Sequence, residues 1–65
     1  MSKYTFSVTD ENGCFIGIGT ADDEMTAVLG AQLLADMHDC TNFTQEIYKY
    51  LYDSNMVLRD IIRVY

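Results

Sequence analysis

"TNFTQEIYKYLYD", residues 41–53, decides the architecture. Thr41 or Asn42 offers a side chain that can cap free backbone N–H groups, and Phe43, Ile47, Tyr50 and Leu51 then recur at helical spacing along one side. The spacing predicts a helix through about Asp53, with Tyr48 and Tyr52 four residues apart on another side. Downstream, "DSN" supplies a turn. "VLRDIIRVY" (57–65) is rich enough in branched residues to predict a strand, although its alternation is imperfect around Asp60. A continued helix is the alternative there.

Upstream of this stretch, Thr20 is followed by Ala21, Asp22, Asp23 and Glu24. A hydroxyl that caps and carboxylates beside the positive end of a helix dipole predict a first helix from about Ala21 to Asp39. Its polar positions between Met25 and Asp39 are only Thr26, Gln32, Asp36, His38 and Asp39, so its apolar arc is wide and the helix central. Leu29, Leu33 and Met37 recur every four residues and are expected to face a sheet. Ala27, Ala31 and Ala35, with Gly30, form a small-residue ridge suited to the close approach of a second helix.

At the start of the chain, "KYTFSVT" (3–9) alternates Tyr4, Phe6 and Val8 with Thr5, Ser7 and Thr9, as a half-buried strand does. "TDENGCFIGIGT" (9–20) carries it through a turn into a second strand. A three-residue loop of Glu11, Asn12 and Gly13, with Gly13 left-handed, sets Val8 opposite Ile16 and Phe6 opposite Ile18. Gly17 and Gly19 then share the other face with Phe15. The same stretch is no calcium loop, because Cys14 and Phe15 stand where an EF-hand needs an oxygen ligand and a glycine. It is no dinucleotide loop either, since Asp22 stands where the fingerprint needs its last glycine. The order β-β-α-α-β implies one α+β domain over residues 1–65, a three-stranded antiparallel sheet with two helices on one face.

Sixty-five residues bury only about 60% of the surface the unfolded chain exposes, which leaves no room for a deep cleft. Ten acids against four lysines and arginines give a net charge of −6 and argue against direct binding of nucleic acid or anionic membrane. No stretch approaches the roughly 20 apolar residues of a membrane span, and "MSKYTFSV" is unlike a secretion signal. A cytoplasmic protein is expected, with Cys14 and Cys40 as packed, unpaired thiols. His38 and Cys40 are too close along a helix end to converge as a catalytic pair, and a zinc site from His38, Cys40, Cys14 and a carboxylate lacks a paired-cysteine signature. No enzyme activity, metal or cofactor is expected.

Charge is the remaining signal. Asp10 and Glu11 sit at a hairpin tip, Asp22, Asp23 and Glu24 crowd a helix start, and Gln32, Asp36 and Asp39 form a stripe along the same helix. Each group has a structural role available in turns or helix dipoles; together they predict one strongly negative side. Phe15, Tyr48 and Tyr52 could anchor an interface beside them. In length and composition the chain resembles the small acidic inhibitors encoded by bacteriophages, anti-CRISPR proteins and nucleic-acid mimics among them. That resemblance implies an inhibitor acting in the host cytoplasm. It would cover the basic nucleic-acid-binding surface of a host defence or transcription complex through Asp10, Glu11, Asp22, Asp23, Glu24, Asp36 and Asp39, blocking DNA or RNA by acidic mimicry. The alternative is a structural module that forms a homodimer through Tyr48, Tyr52 and the alanine ridge.

Overall fold

The structure is a computed structural model and describes residues 3–65. Its elements run β1 (Tyr4–Asp10), β2 (Phe15–Ala21), α1 (Glu24–Met37), β3 (Phe43–Tyr52) and β4 (Leu58–Arg63). The strands form one antiparallel sheet in the order β2-β1-β3-β4, and α1 packs across β1, β2 and β3 on one face. The architecture is therefore β-β-α-β-β, with four strands and one helix, and not the three strands and two helices expected from the sequence.

The difference lies in residues 43–52. Phe43, Gln45, Ile47, Lys49 and Leu51 alternate with Thr44, Glu46, Tyr48, Tyr50 and Tyr52, and four aromatic rings with one Thr and one Ile favour the pleated conformation. The same residues also satisfy a helical period. What decides between them is tertiary: β1 needs a partner on its second edge, and β3 fills it with Phe6 opposite Ile47 and Val8 opposite Gln45. Residues 58–63 are a strand, paired to the far end of β3.

The first hairpin has the expected loop, with an unexpected register. Gly13 has φ +86° and donates its N–H to the Asp10 carbonyl at 3.1 Å, while the Asp10 N–H meets the Cys14 carbonyl at 2.9 Å. Beyond it a bulge at Ile16 inserts one residue into β2, so Thr9 lies opposite Phe15 but Val8 opposite Gly17 and Phe6 opposite Gly19. Ile16 packs toward Val8 under the helix, and Gly17 and Gly19 share that face. Phe15 and Ile18 are turned to the open face of the sheet, both well exposed. Ile16 thus keeps its place beside Val8, but Ile18, expected opposite Phe6, moves to the open face, and Gly17 and Gly19 take the helix side that had been assigned to the isoleucines.

Helix α1 begins later than expected. Ala21 ends β2 as a buried residue, and the cap is Asp23, not Thr20, whose carboxylate accepts the Thr26 N–H at 2.8 Å. At the other end His38 is the C-cap; the Asp39 N–H bonds the Asp36 carbonyl and the Cys40 N–H bonds the Ala35 carbonyl. That is a Schellman closure with Asp39, at φ 54°, in the place glycine usually takes.

The alanine ridge, not the leucine row, faces the sheet. Ala27, Ala31 and Ala35 are fully buried, while Leu29, Leu33 and Met37 point to solvent. The reason is a close approach between helix and sheet. A side chain on Gly17 would run into Leu34, and one on Gly30 would sit 2.7 Å from the tip of the Phe6 ring, which also lies against Gly19. Phe6 thus occupies a slot between two glycines and joins the two parts of the core, Tyr4, Ala21, Ala27 and Ile47 on one side and Val8, Ala31 and Ala35 on the other. Bulky residues on the inner face of α1 would lift it out of contact.

Beyond Tyr4, which pairs with Lys49, the β3–β4 hairpin extends past the helix and gives the molecule its 41 × 18 × 14 Å outline. All of β4 is exposed, with Leu58, Ile61 and Ile62 open to solvent along the edge of the sheet. Among the described residues, no helix is long and apolar enough to cross a membrane.

Candidate protein-binding surface

Between residues 4 and 42 the chain carries seven carboxylates and no lysine or arginine; the remainder carries all four cations and three acids. The fold keeps this division in space. Residues 4–42 build the β1–β2 hairpin and α1, and the cations lie just before β1, on β3 and on β4. Both ion pairs among the described residues belong to the second part, Arg59 with Asp53 at 2.8 Å and Arg63 with Glu46 at 3.6 Å. The seven acids of the first part have no cationic partner among the described residues.

Those seven do not form one continuous row. Asp22, Asp23 and Glu24 stand at the N-terminal end of α1, whereas Asp36 and Asp39 stand at its C-terminal end, with Asp39 lining a cleft together with Asp10 and Glu11 of the hairpin tip. A 14-residue helix separates the groups by about 20 Å. The sequence placed Asp22, Asp23 and Glu24 at the helix start and Asp36 and Asp39 on a stripe near its end, and the helix keeps these two groups apart.

Several of the acids also hold the fold. The Asp10 carboxylate accepts the N–H groups of Asn12 at 2.9 Å and Cys14 at 2.8 Å, closing the hairpin tip. Asp23 caps α1, and the Thr26 N–H it accepts holds its pKa below the ordinary value of 3.8. Asp53 is depressed likewise by the Val57 N–H, with help from Asn55 and Arg59, and organises the β3–β4 turn. Because folding lowers both pKa values, their stabilisation is present above the unfolded carboxylate range and is lost as pH falls through the folded values. Asp22, Glu24 and Asp36 make no side-chain hydrogen bond among the described residues, which leaves these carboxylates free for a partner.

Phe15 lies at the hairpin end, where it lines an open cleft of about 400 Å³ with Asp10, Glu11, His38, Asp39 and Cys40. The Asn42 amide reaches Glu11 across it at 3.4 Å. His38 and Cys40 share this cleft, yet among the described residues no three His, Cys, Asp or Glu side chains converge as metal ligands. Both thiols are free; Cys14 is exposed, against the expectation that both would pack inside, and the Cys40 thiol donates to the Asn42 carbonyl at 3.3 Å.

Tyr48 and Tyr52 do not share a helix side. With Tyr50 they share the open sheet face, at every second residue of β3. The Tyr48 hydroxyl donates to Glu46 at 2.9 Å, and that hydrogen bond, with burial and the Glu46 charge behind it, pushes the phenol pKa up. Tyr50 shares a hydrogen bond with the Thr5 hydroxyl. The alanine ridge is buried, so it cannot serve as a contact with a second molecule.

Sequence reasoning missed the outer face of α1. Met25, Leu29, Leu33 and Met37 are 73%, 57%, 62% and 72% exposed, a row at spacing four with acids at both ends. Its signal was the alanine row on the opposite side of the same helix, at the same spacing. Comparison with protein-family models, with curated proteins and with solved structures finds no match to this chain.

Proposed function

We propose that this protein is a non-catalytic inhibitor that occupies the basic, nucleic-acid-binding surface of another protein, in a host defence complex of the CRISPR type or a transcription complex, and so denies it DNA or RNA. One observation supports the reading above others: seven carboxylates on the β1–β2–α1 part have no cationic partner among the described residues, while the part with cations pairs two of its three acids, Asp53 and Glu46. A field polarised in this way speeds encounter with a basic surface and orients the molecule, helix first, as it arrives. Carboxylates at two ends of a helix do not trace a phosphate backbone, so the mimicry consists in meeting the cations at both ends of the contact. The resemblance in size and composition to phage-encoded inhibitors points the same way.

The test is capture on immobilised protein from nuclease-treated host lysate, followed by purification of each captured protein. The reading expects a captured protein to release labelled DNA or RNA when the chain is added. Asp22→Lys with Asp36→Lys should abolish this release and Asp60→Lys should not, although Asp60 is an exposed acid on the other part. A captured protein that keeps its nucleic acid, or equal loss in all variants, counts against the reading. Self-association is a second reading, favoured by the exposed apolar edge at Leu58, Ile61 and Ile62. Light scattering across a concentration series would reveal it.

A further inference from the structure

Met25, Leu29, Leu33 and Met37 form a single row of side chains along α1, the kind of ridge that helices pack into one another's grooves. We infer that this outer face of α1 docks a basic amphipathic helix of the partner protein, apolar on the facing side and carrying Lys or Arg in its first and last turns. The inference rests on the proposed function and specifies what part of the basic surface is held.

The choice of occupant follows from charge. A second copy meets like charge in either two-fold arrangement. Antiparallel helices set Asp22, Asp23 and Glu24 against Asp36 and Asp39, and parallel helices set each group against itself. A membrane surface with anionic headgroups meets the same repulsion. The rest of this chain does not cover the row, since α1 touches β1, β2 and β3 only from its alanine side and makes no contact with β4 among the described residues. A helix with cations at both ends satisfies the apolar row and the acids together. Crossing at about +20° keeps both helix ends within reach of long side chains, and the flexible methionines at the two ends of the row adapt to its shape.

The probe is a fluorescent 18-residue peptide with leucines on one helical face and two lysines in each end turn. Two companions accompany it, one with glutamates at the ends and one with serines for the leucines. Anisotropy titrations with the whole chain should show binding of the first peptide and at least tenfold weaker binding of both companions. The Leu29→Ser, Leu33→Ser double variant and the Asp22→Lys, Asp36→Lys double variant should each lose at least tenfold, with unchanged circular dichroism. If the serine peptide binds as well, and only the charge variant matters, helix docking is overturned while the basic-surface reading stands. If the glutamate peptide binds as well and the charge variant is silent, both fall. No binding by any peptide, or a wild-type dimer dissolved by Leu29→Ser with Leu33→Ser, overturns the inference.

Discussion

The two faces of α1 present the same spacing and opposite chemistry. Inward lie Ala27, Ala31 and Ala35, fully buried; outward lie Met25, Leu29, Leu33 and Met37, more than half exposed. In most small domains the larger apolar residues are the buried ones, because each contributes about 1.5–3 kcal/mol when removed from water. Here closeness of approach outweighs side-chain size. Gly17, Gly19 and Gly30 bring the helix so near the sheet that alanines form its central inner line, flanked by the partly buried Val28 and Leu34, with the Phe6 ring held between Gly19 and Gly30. The stabilisation forgone on the outer face is the clearest physical reason to regard that face as functional.

The sharpest way to break this comparison is to enlarge the inner face. Ala31→Leu should destabilise the protein by about 1–3 kcal/mol through overpacking, which in a 65-residue domain lowers the melting temperature by roughly 4–8 °C per kcal/mol. An unchanged thermal midpoint would mean that the helix has room to lift, and the close-packing account would fail.

Next is Gly30→Ala, where two effects oppose each other. Helix propensity favours alanine by about 1 kcal/mol. The new methyl, however, would meet the Phe6 ring at 2.7 Å, and Gly19 backs that ring on its other side. A net loss of roughly 1 kcal/mol is expected in urea unfolding. Shortening the ring with Phe6→Leu in the same chain should make the Gly30→Ala change neutral or favourable. Loss of the same size in both backgrounds would remove Phe6 as the cause.

What the sequence made legible, and what it did not, follows the same physics. Strands β1 and β2 came from periodicity, β4 from its branched residues with a continued helix left open, α1 from its cap signals and wide apolar arc, and the left-handed Gly13 from turn chemistry. The bulge at Ile16 was invisible because no local residue demands it; it brings Gly17 and Gly19 under the helix and is required only once the helix is there. Residues 43–52 fit both periods, and only pairing with β1 selects the strand. The orientation of α1 was misread by taking size as a guide to burial. Among the candidate site residues, the clustering of acids into hairpin tip and helix ends was readable. The exposed apolar row between the two helix ends was not.

Asp39 offers a smaller effect that separates charge from fold. It holds φ 54° at the C-terminal closure of α1, a conformation an aspartate tolerates and a glycine prefers. Asp39→Gly should therefore raise stability by about 0.5 kcal/mol, measured as a higher midpoint in urea, while removing one carboxylate from the acidic end. Binding to a basic partner should weaken even as the protein becomes more stable. If stability rises and binding does not fall, the carboxylate at this end takes no part in the contact.

The smallest expected effect on stability is also the most informative. Leu33 is 62% exposed and sits opposite the buried alanines, so Leu33→Ala gives up little buried area and gains slightly in helix propensity. Its midpoint in urea should stay within about 0.5 kcal/mol of the parent, the usual range for a surface site. A leucine in a core would instead cost about 2–5 kcal/mol, so the measurement separates the two orientations of α1 by several-fold. With stability held constant, the same variant isolates the contribution of the row to binding. Removing one leucine from the centre of an apolar contact should weaken a docked helix severalfold, whereas Leu58→Ala, equally apolar but on the exposed β4 edge, should leave that contact unchanged. A loss of 2 kcal/mol or more in Leu33→Ala would place the leucine row against the sheet, and the inward alanines, the glycine slot around Phe6 and the docking face would all have to be given up together.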